Sequence, residues 1–337
     1  MHRSIVFATD ALAPLPSLAR AAEAAGFHRL WTTEFPDRDA LVRALAIAHA
    51  TDTIGVATGI TYSFTRHPLA LAATALDVHE LSGGRLTLGL GAATAGMRRR
   101  WYGIEEDRAL GRFAETVAIL RGAWAANGEF RFDGEFFHAR VDHLAMGPRL
   151  RTLAPVSVYG SGVNAAMLRT VAASCDGSAL HPIAAGPRYL ADVVAPILAS
   201  RDGGLKAAAW MITSIDDDEV VARQRAAGAI AFFFSTPGYE PAAAGEPWSN
   251  APAAIRERFL ATRGDWRQAA EVVPDEMIDA LSLAGTPAAV RDRLGELEGR
   301  LAAAGVDELV FQTVGVGLSE AELVANCSNI IAACAPS

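Results

Sequence analysis

The chain has 337 residues, 51% of them hydrophobic, and a formal net charge of −8, with a sequence pI near 5.5. That balance gives no overall basic field to attract nucleic acid or an anionic membrane surface. No stretch approaches a membrane span, and the start MHRSIVFATD lacks a long apolar core followed by a cleavage site, so the expected location is cytoplasmic.

A strand is expected over 4–9 and a helix over 15–25, then a second strand over 29–34 and a helix over 40–50. Residues 53–60 are an apolar run bounded by polar residues, which gives the third strand. Residues 68–81 have the apolar spacing of a helix with Pro68 at its first position, and Gly83-Gly84 supplies the left-handed geometry of a helix C-terminus. The fourth strand, 86–90, alternates leucines with Thr87 and Gly89 and completes a βαβ unit; a helix over 108–124 follows. A fifth strand over 156–159 precedes a helix over 165–173, and a sixth over 177–180 precedes a helix over 187–199. The seventh strand, 208–215, leads to a helix over 217–227, and the eighth, 308–313, lies between helices over 287–304 and 320–332.

Eight strands alternating with helices predict an α/β fold, a parallel sheet closed as a (β/α)8 TIM barrel in one domain spanning 1–337. The length exceeds the roughly 250 residues of a typical barrel, and two insertions take up the excess. Residues 129–153 contain FRFDGEFFHA, two aromatic runs around Asp133-Gly134 that read as a β-hairpin. Residues 232–286 hold several prolines and read either as a lid or extra helices, or as an ordered excursion with no part in binding. Cys175, Cys327 and Cys334 are odd in number and lie on or beside helical patterns, which suits buried thiols better than a disulfide or a metal site.

In such a barrel the chemistry lies at the carboxyl ends of the strands. The second strand ends in Trp31-Thr32-Thr33-Glu34-Phe35, which places a carboxylate there for catalysis or for capping the next segment. The third ends in Thr58-Gly59-Ile60. The fourth runs into Gly91-Ala92-Ala93-Thr94-Ala95-Gly96, and the fifth, ending at Tyr159, runs into Gly160-Ser161-Gly162-Val163-Asn164. Both small-residue loops leave backbone N–H groups open to a phosphate. Arg98-Arg99-Arg100 beside the first loop is either solvated or, the reading favoured by its position, a rim for an anionic cofactor tail. His181 ends the sixth strand and is expected to face the pocket, whereas His67, before Pro68, reads as a helix cap. The eighth strand ends in Gly315-Val316-Gly317. GLGAATAG lacks the third glycine of a dinucleotide fingerprint, and neither a serine–histidine–acid trio nor a metal-ligand spacing stands out.

The segment ATGITYSFTRHPLALAATALDVHELSGGRLTLGLG resembles the signature region of the luciferase-like monooxygenase superfamily, in particular its coenzyme F420-dependent branch, which includes methylenetetrahydromethanopterin reductases. Further segments, among them AAEAAGFHRLWTTEF, VSVYGSGVNAAMLRTVAASCDGSAL and AGTPAAVRDRLGELEGRLAAAGVDELVFQ, extend the likeness over most of the chain. The resemblance implies a TIM barrel, commonly a homodimer, that holds a flavin or deazaflavin. It implies the ring against Thr58, Gly59 and Ile60, and the phosphate-bearing tail near Ala93, Thr94, Ala95 and Gly96 and near Tyr159, Gly160, Ser161, Gly162, Val163 and Asn164. It also implies a non-prolyl cis peptide at the end of the third strand, with Gly59-Ile60 the best match and Thr58-Gly59 the next.

One departure bears on mechanism. Many deazaflavin reductases of this superfamily carry an acid followed by histidine at the end of the second strand, and this chain has Glu34 followed by Phe35. Glu34 and His181 are therefore the candidate proton donors. The expected activity is hydride transfer between coenzyme F420 and a small organic substrate; the alternatives are an FMN-dependent monooxygenase and a catalytically silent cofactor-binding relative. Tyr239, Trp248 and Phe259, from the second insertion, are expected to line the substrate pocket.

Overall fold

The structure, a computed structural model, describes residues 1–105, 108–315 and 317–336; Val316 lies outside the described residues. The chain opens with β1 (His2–Val6), α1 (Leu15–Ala24), β2 (Arg29–Thr32), α2 (Ala40–Ala50), β3 (Gly55–Thr58) and the short β4 (Thr61–Tyr62). Helix α3 (Pro68–Leu81) starts on Pro68 behind the His67 cap, whose Nδ1 accepts from Leu69 N–H at 3.2 Å. Gly83 and Gly84 both take the positive φ expected of them. Then come β5 (Leu86–Gly91), α4 (Ala95–Tyr102), α5 (Ala109–Ala125) and the antiparallel hairpin of β6 (Gly128–Asp133) and β7 (His138–Leu144).

The second half runs through β8 (Ser157–Ser161), α6 (Ala165–Ser174), β9 (Gly177–Leu180), the short helices α7 (Pro187–Tyr189) and α8 (Ala195–Leu198) around a π turn, and β10 (Lys206–Ile215). Helix α9 (Glu219–Phe234), three short helices α10 (Ala251–Ala261), α11 (Trp266–Ala270) and α12 (Asp275–Leu281), and strand β11 (Ser282–Gly285) follow. The chain closes with α13 (Pro287–Ala303), β12 (Glu308–Thr313) and α14 (Glu320–Cys334), the last opened by a Ser319/Glu322 capping box.

Eight parallel strands close the barrel in the order β1, β2, β3, β5, β8, β9, β10, β12, with β12 pairing back on β1. Period-two alternation divides their side chains. Val6, Trp31, Ala57, Tyr159, Ala179, Ala208, Trp210 and Val310 fill the interior. Leu30, Val56, Leu88 and Leu90 face the helices in the larger cluster. Strand β10 changes partner along its length: residues 206–209 pair with β9, whereas 212–215 pair with β11 on the same edge. All three cysteines are buried and free. Among the described residues no helix is long and apolar enough to cross a membrane.

Three elements depart from the expectation. The loop after β5 becomes α4, bracketed by the Thr94 cap and by Gly103 at φ 67, and these signals are hidden in the sequence by the arginine run. Helix α9 continues past Gly228 to Phe234, because Phe234 is completely buried against the barrel. The second insertion contributes β11 as well as helices.

Candidate active site

Glu34 stands two residues beyond β2 and is 6% exposed. It does not cap α2; Asp39 does, accepting from Leu41 and Val42 N–H. Instead Glu34 is held from the loop before α3: Arg66 Nη1 donates to its Oε1 at 3.0 Å and its Oε2 at 3.2 Å, and Thr65 Oγ1 donates to Oε1 at 3.3 Å. Arg66 Nη2 reaches on to Asp39, so one guanidinium ties the ends of two strands together. Burial pushes the Glu34 carboxyl above its ordinary range, against the opposing charge and hydrogen bonds of Arg66. Glu34, Arg66, Asp39 and Thr65 line a cleft of about 410 Å³ with Phe35, Arg38 and Tyr102. Burial also raises the neighbouring phenols of Tyr62 and Tyr102, so both stay protonated.

The end of β3 makes the floor beside this cleft. The Gly59–Ile60 peptide is cis, as expected. The ladder from β3 to β5 stops at Ala57–Thr87 and resumes at Thr61–Leu90. Between them the Thr58 hydroxyl donates to Gly89 C=O at 2.8 Å and accepts from Gly89 N–H at 2.9 Å, which replaces the missing backbone partner. Along this close-packed shelf protein atoms already fill the space that a side chain would need. A Cβ on Gly89 would lie 1.8 Å from Thr58 O, one on Gly91 2.0 Å from Ile60 Cδ1, and one on Gly59 2.0 Å from Trp210 Cζ2. Trp210 Nε1–H belongs to the same indole edge and is buried without a partner among the described residues.

Gly91 and Ser161 are register partners, so the two small-residue loops lie side by side. Each opens a helix: Thr94 caps α4 through Met97 N–H, and Asn164 caps α6 through Met167 N–H. These caps leave the first two N–H groups of each helix pointing outward. Tyr189 OH donates to Val163 O at 2.5 Å and fixes the second loop. Gly160 and Gly162 are needed for packing, since a Cβ there would meet Val171 and Met167. The arginine run does not form a rim. Arg98 is buried and donates to Ala92 and Ala93 C=O, Arg99 pairs with Glu105, and only Arg100 lies by Gly96. The ring of Tyr159 points down the interior toward Arg29, 5.6 Å from the guanidinium, while its backbone adjoins the loop.

His181 follows β9 as expected and caps a 3-10 turn, with Nδ1 accepting from Ile183 N–H at 3.4 Å. The proton of the neutral ring is therefore on Nε2. Burial between Phe233, 4.6 Å away, and Tyr239, 5.1 Å away, pushes the imidazole down to about 3. Tyr239 thus stands at the mouth. Trp248 packs into the main core against Phe234, and Phe259 is half-buried against the same cluster; neither lines the cleft. Arg66, Thr65, Asp39 and Trp210 were missed as site residues, although TRHP directly after the third strand held two of them.

A sequence profile of the luciferase-like monooxygenase family matches residues 2–304. The chain is 30% identical over 301 residues to 5,10-methylenetetrahydromethanopterin reductase of Archaeoglobus fulgidus, covering 86% of each chain. Its fold is similar to that of the coenzyme F420-dependent tetrahydromethanopterin reductase of Methanopyrus kandleri, with TM-score 0.77, 20% identity and 98% of each chain covered. It is also similar to the oxygenating constituent of 3,6-diketocamphane monooxygenase of Pseudomonas putida in complex with FMN, with TM-score 0.66, 17% identity, and 100% and 99% of the chains covered. An eight-stranded barrel with its candidate site at the carboxyl ends, matched by the family profile over nine-tenths of its length, belongs to the luciferase-like monooxygenase family.

Proposed function

We propose that the chain is an oxidoreductase that uses the deazaflavin coenzyme F420 to exchange hydride with a small organic substrate. The observation that carries the reading is the floor at the end of β3. The cis Gly59–Ile60 peptide interrupts the β3–β5 ladder there, and the buried Trp210 Nε1–H packed against Gly59 has no partner among the described residues. A buried donor of this kind calls for an acceptor. The methylenetetrahydromethanopterin reductase relative, together with the similarly folded reductase named as coenzyme F420-dependent, favours the deazaflavin over FMN.

When bound, the cofactor supplies a hydride at its ring C5. Gly59, Ile60 and the residues beneath them would hold the ring, and the N-termini of α4 and α6, with Arg100, would hold an anionic tail. Glu34 holds the proton. Both of its oxygens accept from Arg66 and Oε1 also from Thr65, and in the neutral form the carboxyl donates its hydrogen to a substrate oxygen in the cleft. His181, neutral at any ordinary pH, orients a ligand through Nε2–H rather than acting as an acid. Titration of the purified protein with oxidised coenzyme F420 and with FMN tests the reading. Tighter binding of the deazaflavin and turnover without dioxygen are expected; selective FMN binding with oxygen-dependent turnover would replace it.

A further inference from the structure

We infer that the substrates are neutral molecules bearing a flat apolar ring, selected by an aromatic roof built from Phe35, Phe232 and Phe233; this rests on the site being the oxidoreductase pocket proposed above. Strands β2 and β9 are four steps apart in an eight-stranded barrel, so the residues that follow them, Phe35 and His181, stand on opposite rims. Consecutive ring contacts join them. Phe35 lies 6.3 Å from Phe232, Phe232 lies 5.4 Å from Phe233, and Phe233 lies 4.6 Å from His181. The middle two rings come from the last turn of α9, which therefore crosses the mouth rather than lying outside the barrel. Trp266 stacks on Phe232 at 4.5 Å, and Trp101 meets Phe35 at 5.4 Å.

The charge balance of the cleft sets the second half of the inference. Glu34, Asp37 and Asp39 line it against Arg38 and Arg66, three carboxyls to two guanidiniums. Both guanidiniums are engaged, Arg66 by Glu34 and Asp39, and Arg38 by Asp10 and Asp37. No cation among these is left to meet an anionic substrate, while Phe35 and Tyr102 offer apolar surface in the same cleft. A ring under the roof gains aromatic contact, and a carboxylate there loses its hydration without a partner.

The test uses ligand-observed NMR titrations of the full chain with acetone, acetophenone and benzoate, with and without the cofactor. Acetophenone is expected to bind at least tenfold more tightly than acetone, with benzoate weaker than acetophenone. Phe232→Ala should weaken acetophenone roughly three- to tenfold and leave acetone unchanged, the scale of one aromatic contact. Phe35→Leu and Phe232→Leu repeat the measurement in variants that keep the apolar volume, with thermal melts confirming the fold. Equal affinity for the two ketones, tighter benzoate, or Phe232 variants that bind acetophenone like the parent chain would overturn the inference. The ligand titrations of the cofactor-free chain read the roof by themselves, so failure to bind either cofactor would count against the proposed function alone.

Discussion

Arg29–Glu308 and Arg66–Glu34 are the same chemical pair at opposite ends of one barrel, with both carboxylates 5% exposed at the side chain. At the floor Glu308 accepts from Arg29 at 2.5 Å and from Trp31 Nε1 at 2.8 Å, and Arg29 lies over the Trp31 and Tyr159 rings. Arg29 is 14% exposed at the side chain. At the mouth Arg66 is 24% exposed and opens on a cleft of about 410 Å³, and Glu34 is pushed upward by burial. A buried pair packed against rings resists movement, so it serves architecture. One with an open side can take up or release a proton, which suits it to the chemistry proposed for the mouth. The division follows the general rule that barrel floors carry stability and barrel mouths carry function.

Four measurements break or sharpen this contrast. Glu34→Gln keeps the shape of the mouth pair but removes its acid, and turnover should fall roughly 10²- to 10⁴-fold while cofactor affinity and thermal stability barely change. Near-normal turnover would remove Glu34 from catalysis. Glu308→Ala at the floor leaves the Arg29 charge and the Trp31 N–H without a buried partner, and should cost about 3–5 kcal/mol in denaturant unfolding. A melt within a degree or two of the parent chain would show that the floor pair is ornamental.

Two smaller effects separate rigid from yielding positions within the mouth. Gly89→Ala drives a Cβ into the Thr58 carbonyl, a backbone atom that cannot move aside, and should cost about 3 kcal/mol, whereas Gly162→Ala meets only the Met167 side chain and should cost about 1 kcal/mol. Equal losses in urea titrations would mean that the loop before α6 is as rigid as the shelf. The last effect is a pH slope. The folded His181 is held at about 3 against an ordinary 6.5, so the folded state binds its proton less readily than the unfolded chain. Its contribution to stability is full above pH 6.5 and is lost as the pH falls toward 3. His181→Gln should flatten that acid-side decline, and an unchanged slope would place the ring in water.

The sequence made some of this legible and hid the rest for physical reasons. Gly83-Gly84 and Asp133-Gly134 are local instructions, each read by its own few residues, and both turns stand where expected. Period-two apolar runs located all eight barrel strands, with ends shifted by a few residues where the ladder rather than the composition decides them. The position of Glu34 followed from the barrel rule. Its partner did not: Arg66 lies 32 residues away in sequence and reads locally as part of a helix start. Nor did the aromatic roof, because α9 passes Gly228 only under tertiary burial of Phe234, and that extension is what swings Phe232 and Phe233 over the mouth.

The change of partner along β10 has a geometric outcome. Its lower half pairs with β9 and its upper half with β11 on the same edge, and β11 has no second strand partner among the described residues. The seam between β9 and β10 is therefore hydrogen-bonded only along its lower half, and β11 borders the gap above it. Because β11 belongs to the second insertion, the border of that gap can change with the segment while the closed lower seam, and with it the register of the eight founding strands, stays fixed.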